Sequence, residues 1–238
     1  METDLRPESR AALRSVMNHQ AVIFDLDGTL LDTLQDIADS VNRVLAARGL
    51  SGHATEAYRT LVGDGSAVLV TRALPEKHRR PEIINSCLQG YLDDYQQNWH
   101  QSTRPYDGIQ DLLVQLQDRR IPMAVVTNKP HRFTSSMMAR YFGSFHFHPV
   151  LGQQDGIPKK PDPHLALAAA QEMGVAPSDC YFVGDSATDM HTARNAAMHP
   201  IGAGWGFRTA EELYNAGALT VLDHPLELLD WLAHQGPR

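Results

Sequence analysis

The sequence predicts a doubly wound α/β fold with a helical domain inserted after the first strand. Two observations support this. Short apolar runs, each long enough for one buried strand, alternate with helical segments over most of the chain. Strands and helices that alternate in this way form right-handed βαβ units around a parallel sheet. Between about residues 50 and 103, by contrast, only helical patterns occur, so this stretch interrupts the alternation.

The first strand is the apolar run Ala21-Val-Ile-Phe24, which ends abruptly at Asp25-Leu-Asp27-Gly28. A capping box formed by Thr33 and Asp36 is then expected to begin a helix, whose apolar residues continue at helical spacing to Gly49. Two segments of mixed polarity, 54–74 and 81–101, are helical by composition and are separated by prolines. These helices form the predicted insertion.

After residue 103 the alternation returns. Helices are predicted at 109–119, 131–142, 163–173 and 189–198, and strands at 122–126, 147–151, 181–183, 199–203 and 219–222. Asp162 as N-cap and Pro163 in the first turn mark the start of one helix. The pattern assigns 21–32 and 104–238 to an α/β core, 33–103 to a helical cap and 1–20 to an N-terminal extension.

The composition of the chain argues against several classes of protein: nucleic-acid-binding, membrane-spanning and secreted proteins. The chain has 238 residues and a net charge of −7, which argues against nucleic-acid or anionic-membrane partners. No apolar run approaches the length of a membrane span, and the first twenty residues lack the apolar region of a secretory signal. Two cysteines without CxxC spacing fit a reducing compartment. We therefore expect a cytoplasmic globular protein, and homo-oligomer formation stays open.

Polar residues follow three of the predicted strands, at the edge where an open parallel sheet binds ligands. They are Asp25, Asp27, Thr127, Asn128, Asp185 and Asp189, with Lys159 and Lys160 in a nearby loop. Any one of them alone would be an ordinary turn or helix cap. Together they bring four carboxylates to one crevice, which is unfavourable unless a cation joins them. Mg²⁺ suits such oxygen ligands, so the pattern predicts a magnesium site.

Four segments resemble, in order, the motifs of the haloacid dehalogenase-like phosphohydrolases. They are Asp25-Leu-Asp-Gly-Thr-Leu-Leu-Asp32, Val125-Val-Thr-Asn128, Lys160-Pro-Asp-Pro163 and Val183-Gly-Asp-Ser-Ala-Thr-Asp189. The resemblance covers about residues 21–222 and implies a Rossmann-like core with an inserted cap. Other stretches resemble the phosphoglycolate phosphatase group within that family: Leu61-Val-Gly-Asp-Gly65, Arg72-Ala-Leu74, Thr103-Arg-Pro-Tyr106, Thr127-Asn-Lys-Pro130 and Trp205-Gly-Phe-Arg208.

The resemblance implies a role for each motif. Asp25 would attack phosphorus and form an aspartyl phosphate, and Asp27 would protonate the leaving alkoxide and later activate water. Mg²⁺ would be held by Asp25, Asp185 and the backbone carbonyl of Asp27, with Asp189 as a further candidate. Lys160 would neutralise developing charge. Substrate contacts are expected from Gly28, Thr29, Thr127, Asn128 and Lys160, and from Gly63 and Arg72 in the cap.

The resemblance favours a small phosphorylated metabolite as substrate, with 2-phosphoglycolate as the specific expectation. Arg59, Gly63, Gly65 and Arg72 would then meet its carboxylate. Phosphatases for sugar phosphates, nucleotides or pyrophosphate remain alternatives, as does a sugar phosphomutase, although mutases often carry Glu-Asp where this chain has Gly184-Asp185. Dehalogenation is disfavoured because it does not need Asp27. The non-enzyme alternative is a phospho-accepting receiver module, which is shorter and carries no cap.

Overall fold

The computed structural model describes residues 20–234, so the extension predicted for residues 1–20 lies outside the described part except for Gln20. Strands β1 to β8 are Ala21–Phe24, Leu31–Asp32, Arg104–Pro105, Met123–Pro130, Phe147–Gln153, Cys180–Gly184, His199–Ala203 and Thr220–Leu222. Helices α1 to α10 are Leu34–Ala46, Tyr58–Leu61, Ser66–Ala73, Pro81–Asn98, Ile109–Asp118, His131–Phe142, His164–Met173, Ala187–Asn195, Ala210–Asn215 and Glu227–His234. None of these helices is long and apolar enough to cross a membrane.

Six strands form one parallel sheet in the order β5-β4-β1-β6-β7-β8. Every strand of this sheet was expected from an apolar run; β1 and β7 have the expected ends, and the ends of the others differ by at most four residues. β1 lies between β4 and β6, so the residues that follow these three strands meet at one edge. This order brings Asp25 and Asp185, which follow β1 and β6, close to Thr127 and Asn128, which lie within β4 and not after it as expected.

Helices cover both faces of the sheet, which confirms the doubly wound α/β fold. Successive side chains of β1 point to opposite faces of the sheet. Ala21 and Ile23 pack against the apolar faces of α7 and α8. Val22 and Phe24 point the other way and join the larger core that includes α5, α6 and α10. Burial on both faces explains why β1 has no polar residue until it ends.

The chain between β2 and β3 contains helices α1 to α4. β2 and β3 pair antiparallel, Leu31 with Pro105 and Asp32 with Arg104, so the chain leaves the core and returns to it at one place. This two-residue ladder lies beside both boundaries expected for the cap, 33 and 103, and the division into domains stays a prediction.

The expectation of a capping box at Thr33 is wrong. The Thr33 hydroxyl is buried and makes no hydrogen bond. Asp36 accepts hydrogen bonds from the returning chain instead, from the Thr103 backbone N–H at 2.8 Å and the Thr103 hydroxyl at 2.7 Å. A long-range contact therefore takes the carboxylate that the local pattern assigns to the helix end, and it ties α1 to the chain just before β3.

Two other helix starts differ from the expected ones. α7 begins at His164, one residue later than expected, because Asp162 Oδ1 accepts the His164 backbone N–H and Pro163 stands at the cap position. α8 begins at Ala187 and not at Asp189, because Ser186 and Asp189 form a reciprocal capping box. Asp189 is thereby fixed in the first turn of α8.

Candidate active site

Three buried carboxylates meet at the edge of the sheet formed by the ends of β1 and β6. Asp25 follows β1, Asp185 follows β6, and Asp189 lies in the first turn of α8. One oxygen from each lies within 4.8 Å of the others. Asp25 is 8% exposed, Asp185 2% and Asp189 not at all. The convergence predicted from the strand ends is therefore present for these three residues.

Lys160 balances part of this negative charge. Its ammonium is buried and lies 2.6 Å from Asp189 Oδ1, 2.9 Å from Asp25 Oδ1 and 3.0 Å from the carbonyl of Val126. Burial lowers the pKa of Lys160, but the two carboxylates outweigh it and the net pKa lies above the usual value. Lys160 is therefore charged at neutral pH and links two of the three carboxylates.

Asp185 is held by the chain around it. Its Oδ1 accepts from the Thr29 hydroxyl at 3.2 Å and its Oδ2 from the Phe207 backbone N–H at 2.8 Å. A Cβ on Gly206 would overlap the Asp185 side chain, so only glycine lets this loop approach. Burial, together with the charges of Asp189 and Asp25, raises the pKa of Asp185 well above its usual value.

The carboxylate cluster fits a hard divalent cation. One buried oxygen, Asp25 Oδ1, forms the ion pair with Lys160 but accepts no hydrogen bond. Lys160 pairs with Asp25 and Asp189, whereas Asp185 forms no ion pair within the described part of the chain. Carboxylate oxygens in this number are ligands that Mg²⁺ prefers. Asp25, Asp185 and Asp189 each bring one oxygen close enough to the others to share an ion, and Asp189 also accepts hydrogen bonds from Lys160 and Ser186.

Asp27 is bound by a second buried ammonium, that of Lys129. The Lys129 Nζ lies 2.9 Å from Asp27 Oδ1, 3.0 Å from Asp27 Oδ2 and 2.9 Å from the Tyr95 hydroxyl. The Lys129 side chain is 3% exposed and that of Asp27 is 13% exposed. Tyr95 lies on α4, so this contact joins the helical insertion to the end of β4.

A cavity of about 40 Å³ opens above Asp25 and Asp27. Much of its wall is apolar and comes from both parts of the chain: Ile37, Val62, Leu69, Tyr91, Phe133 and Phe207. Its polar lining includes Thr127, Asn128, Ser66 and Ser186, and two cations, Lys129 and Arg208. A phosphate ester that enters this cavity would meet both the polar groups of Asp25 and Thr127 and an apolar wall.

Comparison with known proteins identifies the family. The model of the haloacid dehalogenase-like hydrolase family matches residues 22–203. The chain belongs to this family. It is 35% identical to an N-acetylmuramic acid 6-phosphate phosphatase of Pseudomonas aeruginosa, over 91% of this chain and 96% of that protein. It is 32% identical to a phosphoglycolate phosphatase of Psychrobacter arcticus, over 93% of this chain and 99% of that protein.

A solved structure agrees with this assignment. The crystal structure of a Lactobacillus delbrueckii subsp. bulgaricus protein, for which phosphoglycolate phosphatase activity is itself a prediction, superposes with a TM-score of 0.85. It is 31% identical and covers 91% of this chain and 99% of its own. The protein is thus a phosphatase of the haloacid dehalogenase-like family, in the phosphoglycolate phosphatase-like group.

Not every expected residue of this haloacid dehalogenase-like hydrolase lies on the cavity. Gly28 and Thr29 do not line it; Thr29 bonds to Asp185, and Gly28 has a φ of +83° and packs against the same carboxylate. Arg72 pairs with Asp64 at 2.6 Å and borders a neighbouring surface cavity. Arg59 pairs with Glu56. Gly63 and Gly65 do line the cavity.

Asn128 lines the cavity, but its side chain is hydrogen-bonded to the backbone of Lys160. Its side chain accepts from the Lys160 backbone N–H at 2.9 Å and donates to the Lys160 carbonyl at 3.1 Å. It also donates to the carbonyl of Gly63 at 3.1 Å, a link to the insertion. Lys159, the neighbour, is exposed and reaches the carbonyl of Asp64 at 3.3 Å.

Sequence analysis assigned no role to Lys129, Tyr95 or Arg208, although all three lie at or beside the cavity. Lys129 and Arg208 could have been found, because they lie in two stretches that resemble the phosphoglycolate phosphatase group, Thr127-Asn-Lys-Pro130 and Trp205-Gly-Phe-Arg208. Tyr95 carries no such signal. Its contact with Lys129 depends on how α4 packs on the core.

Proposed function

We propose that the protein hydrolyses small phosphomonoesters with Asp25 as the nucleophile. The observation that carries this proposal is the position of Asp25 on the cavity floor, with the buried Lys160 ammonium 2.9 Å from its Oδ1. A carboxylate oxygen of Asp25 would form a bond to phosphorus as the ester oxygen departs. Water would then attack phosphorus, release inorganic phosphate and regenerate the Asp25 carboxylate.

Asp27 is the proposed acid and base of this reaction. It lines the cavity two residues after the nucleophile, so its carboxyl group can give a proton to the departing ester oxygen. In the second step the same group would take a proton from the attacking water. Thr127 lines the cavity beside them, and its hydroxyl accepts the Lys129 backbone N–H while keeping its own proton for a phosphoryl oxygen.

Mg²⁺ is the proposed cofactor, held by the side chains of Asp25 and Asp185 and the backbone carbonyl of Asp27, with Asp189 as a further candidate. When bound, the ion supplies positive charge to the transferred phosphoryl group. Lys160 adds a second positive charge from the side of Asp25 and Asp189. Asn128 keeps Lys160 in place through two backbone contacts.

The helical segment 33–103 is the proposed cap that shields this chemistry from water. Its loop at 62–65 is bound to the core by hydrogen bonds at Val62, Gly63 and Asp64. Arg208 donates to the carbonyl of Val62 at 2.8 Å, Asn128 to that of Gly63, and Thr188 to the Asp64 carboxylate at 2.9 Å. Closure of this kind excludes solvent from the transfer.

The proposed substrate is 2-phosphoglycolate. A leaving group of two carbons needs less room than a hexose beside the loop at 62–65, which is bound to the core. N-acetylmuramic acid 6-phosphate is the second candidate, favoured by the 35% identity to a phosphatase of that name. Its sugar would require the loop at 62–65 to move away from the core.

We propose a cytoplasmic location, since both cysteines are free thiols.

A panel assay tests the proposed function. The purified chain is given 2-phosphoglycolate, N-acetylmuramic acid 6-phosphate, glucose 6-phosphate, a mononucleotide and pyrophosphate, each with Mg²⁺, with Ca²⁺ and with EDTA. We expect Mg²⁺-dependent phosphate release that EDTA abolishes, and Ca²⁺ to be the poorer metal because its geometry is looser. Undiminished activity in EDTA would refute the metal role. If 2-phosphoglycolate trails another substrate tenfold in kcat/KM, the specific assignment fails and the phosphatase assignment stands.

A further inference from the structure

Lys129 is the buried cation that contacts Asp27, the proposed acid. It lines the cavity together with Asp25, Asp27 and Thr127. Its ammonium contacts Asp27, the residue proposed to protonate the departing oxygen. The leaving group of the substrate, which is attached to that oxygen, therefore lies close to Lys129.

The ammonium of Lys129 has donor capacity left. The two oxygens of Asp27 belong to one carboxylate and subtend a narrow angle at Nζ, so they share one N–H. A second N–H is used by the Tyr95 hydroxyl. Among the residues that the structure describes, the third N–H has no partner. A buried ammonium in this position can bind one more acceptor.

The other cations near the cavity are committed elsewhere. Lys160 is turned toward Asp25 and Asp189. Arg208 lines the cavity but pairs with Glu212 at 3.1 Å and donates to the carbonyl of Val62. Arg72 and Arg59, the expected partners of a substrate carboxylate, pair with Asp64 and Glu56 away from it.

Much of the rest of the wall is apolar. Tyr91, Phe133 and Leu69 are apolar neighbours on the cavity. An ionised carboxylate against such a wall is unfavourable unless a cation bonds to it. A leaving group that carries a carboxylate would therefore be drawn to Lys129.

We propose that Lys129 is the specificity-determining residue of this phosphatase, and that it binds a carboxylate on the leaving group of the substrate. This inference rests on the proposed function, because it assumes that Asp25 and Asp27 do the chemistry. Lys129 in this role selects esters in which the carboxylate is attached to the carbon bonded to the ester oxygen. In 2-phosphoglycolate the two groups are that close, so Asp27 and its neighbour Lys129 can engage them together.

The same geometry separates the two candidate substrates. In N-acetylmuramic acid 6-phosphate the carboxylate belongs to the lactyl group, across the sugar ring from the phosphorylated carbon. With its ester oxygen at Asp27, that carboxylate would lie far from Lys129. Lys129 thus favours the small hydroxy acid ester over the sugar acid.

The test compares 2-phosphoglycolate with 2-hydroxyethyl phosphate, which has the same length and no charge on its leaving group. For the wild-type chain we expect kcat/KM to be at least tenfold higher for 2-phosphoglycolate, about 1.4 kcal/mol of transition-state binding. In Lys129→Met this ratio should fall to within threefold of one. The matched variant Arg208→Met removes the other cavity cation and should leave the ratio within threefold of the wild-type value.

The possible results distinguish failure of the Lys129 assignment from failure of the proposed phosphatase function. A wild-type ratio below threefold would overturn the inference without any variant. An equal loss on both substrates in Lys129→Met would also overturn it, because Lys129 would then act only through Asp27. A ratio that collapses in Arg208→Met but not in Lys129→Met would move the carboxylate site to Arg208. If the wild-type chain hydrolyses no phosphomonoester of the panel, the proposed function itself fails.

Discussion

The side chain of Asn128 holds the backbone of Lys160 on both sides. Its Oδ1 accepts the Lys160 N–H at 2.9 Å, and its Nδ2 donates to the Lys160 carbonyl at 3.1 Å. The two residues are 32 positions apart, and both are buried. The end of β4 thereby sets the position of the ammonium that faces Asp25 and Asp189.

Replacing Asn128 should therefore impair catalysis through Lys160. We expect Asn128→Ala to lower kcat about 10- to 100-fold and to destabilise the fold by about 1–3 kcal/mol, the usual cost of unpaired buried polar groups. Steady-state kinetics and thermal unfolding measure both effects. Asn195→Ala is the matched control, because Asn195 makes one exposed hydrogen bond to the same loop, at Pro161. Equal losses of kcat in the two variants would contradict this positioning role.

The two adjacent lysines should differ sharply. Lys160 is buried against two carboxylates, whereas Lys159 is exposed and makes one long contact of 3.3 Å with a carbonyl. We expect Lys160→Ala to lower kcat about 100-fold or more, as the loss of a charge that stabilises a transition state does. Lys159→Ala should change kcat less than about threefold. The reverse order would transfer the charge-neutralising role to Lys159.

The metal-free protein should be less stable at pH 8 than at pH 5. The pKa of Asp185 in the folded state is raised above its unfolded value, by burial first and then by Asp189 and Asp25. Its contribution to stability is therefore complete below the unfolded pKa of about 4 and is lost as the pH rises through the folded pKa. Mg²⁺ should restore stability, and more so at pH 8, because it offsets the ionised carboxylates.

Asp185→Asn provides the check on that pH dependence. Without metal at pH 8 its Tm should equal or exceed that of the wild-type chain, since one buried negative charge is gone. Its Tm should also stop responding to Mg²⁺. Thermal unfolding at both pH values, with and without Mg²⁺, gives the comparison. A variant that is less stable without metal and keeps the full Mg²⁺ response would contradict the proposed site.

The sequence predicts the part of the site that depends on topology. Asp25 and Asp185 directly follow apolar runs that form buried parallel strands, and neighbouring strands end at one edge of the sheet. Asp189 follows as part of the first turn after β6. Two lysines, Lys159 and Lys160, were expected near this edge, and the resemblance of its motif selected Lys160. Local patterns and strand order are enough to gather these groups.

Tertiary contacts made by the insertion, with the core and within itself, are the part that the sequence does not predict. Tyr95 reaches Lys129 because α4 packs on the core in one register, and helical periodicity alone does not specify that register. Asp36 binds Thr103 across 67 positions, which overrides the local capping pattern. Arg72 pairs with Asp64 and turns away from the cavity for a similar reason. Each depends on the packing of distant segments.

The central claim, that Asp25 is the nucleophile, is tested most directly by trapping the phosphoenzyme. Asp27→Asn should still accept the phosphoryl group from a substrate with a good leaving group, because no proton is then needed, but should lose it slowly to water. Mass spectrometry of the acid-quenched variant should find one phosphoryl group on the peptide that contains Asp25, and none in the double variant with Asp25→Asn. A phosphoryl group on another residue, or turnover by folded Asp25→Asn, would contradict the account.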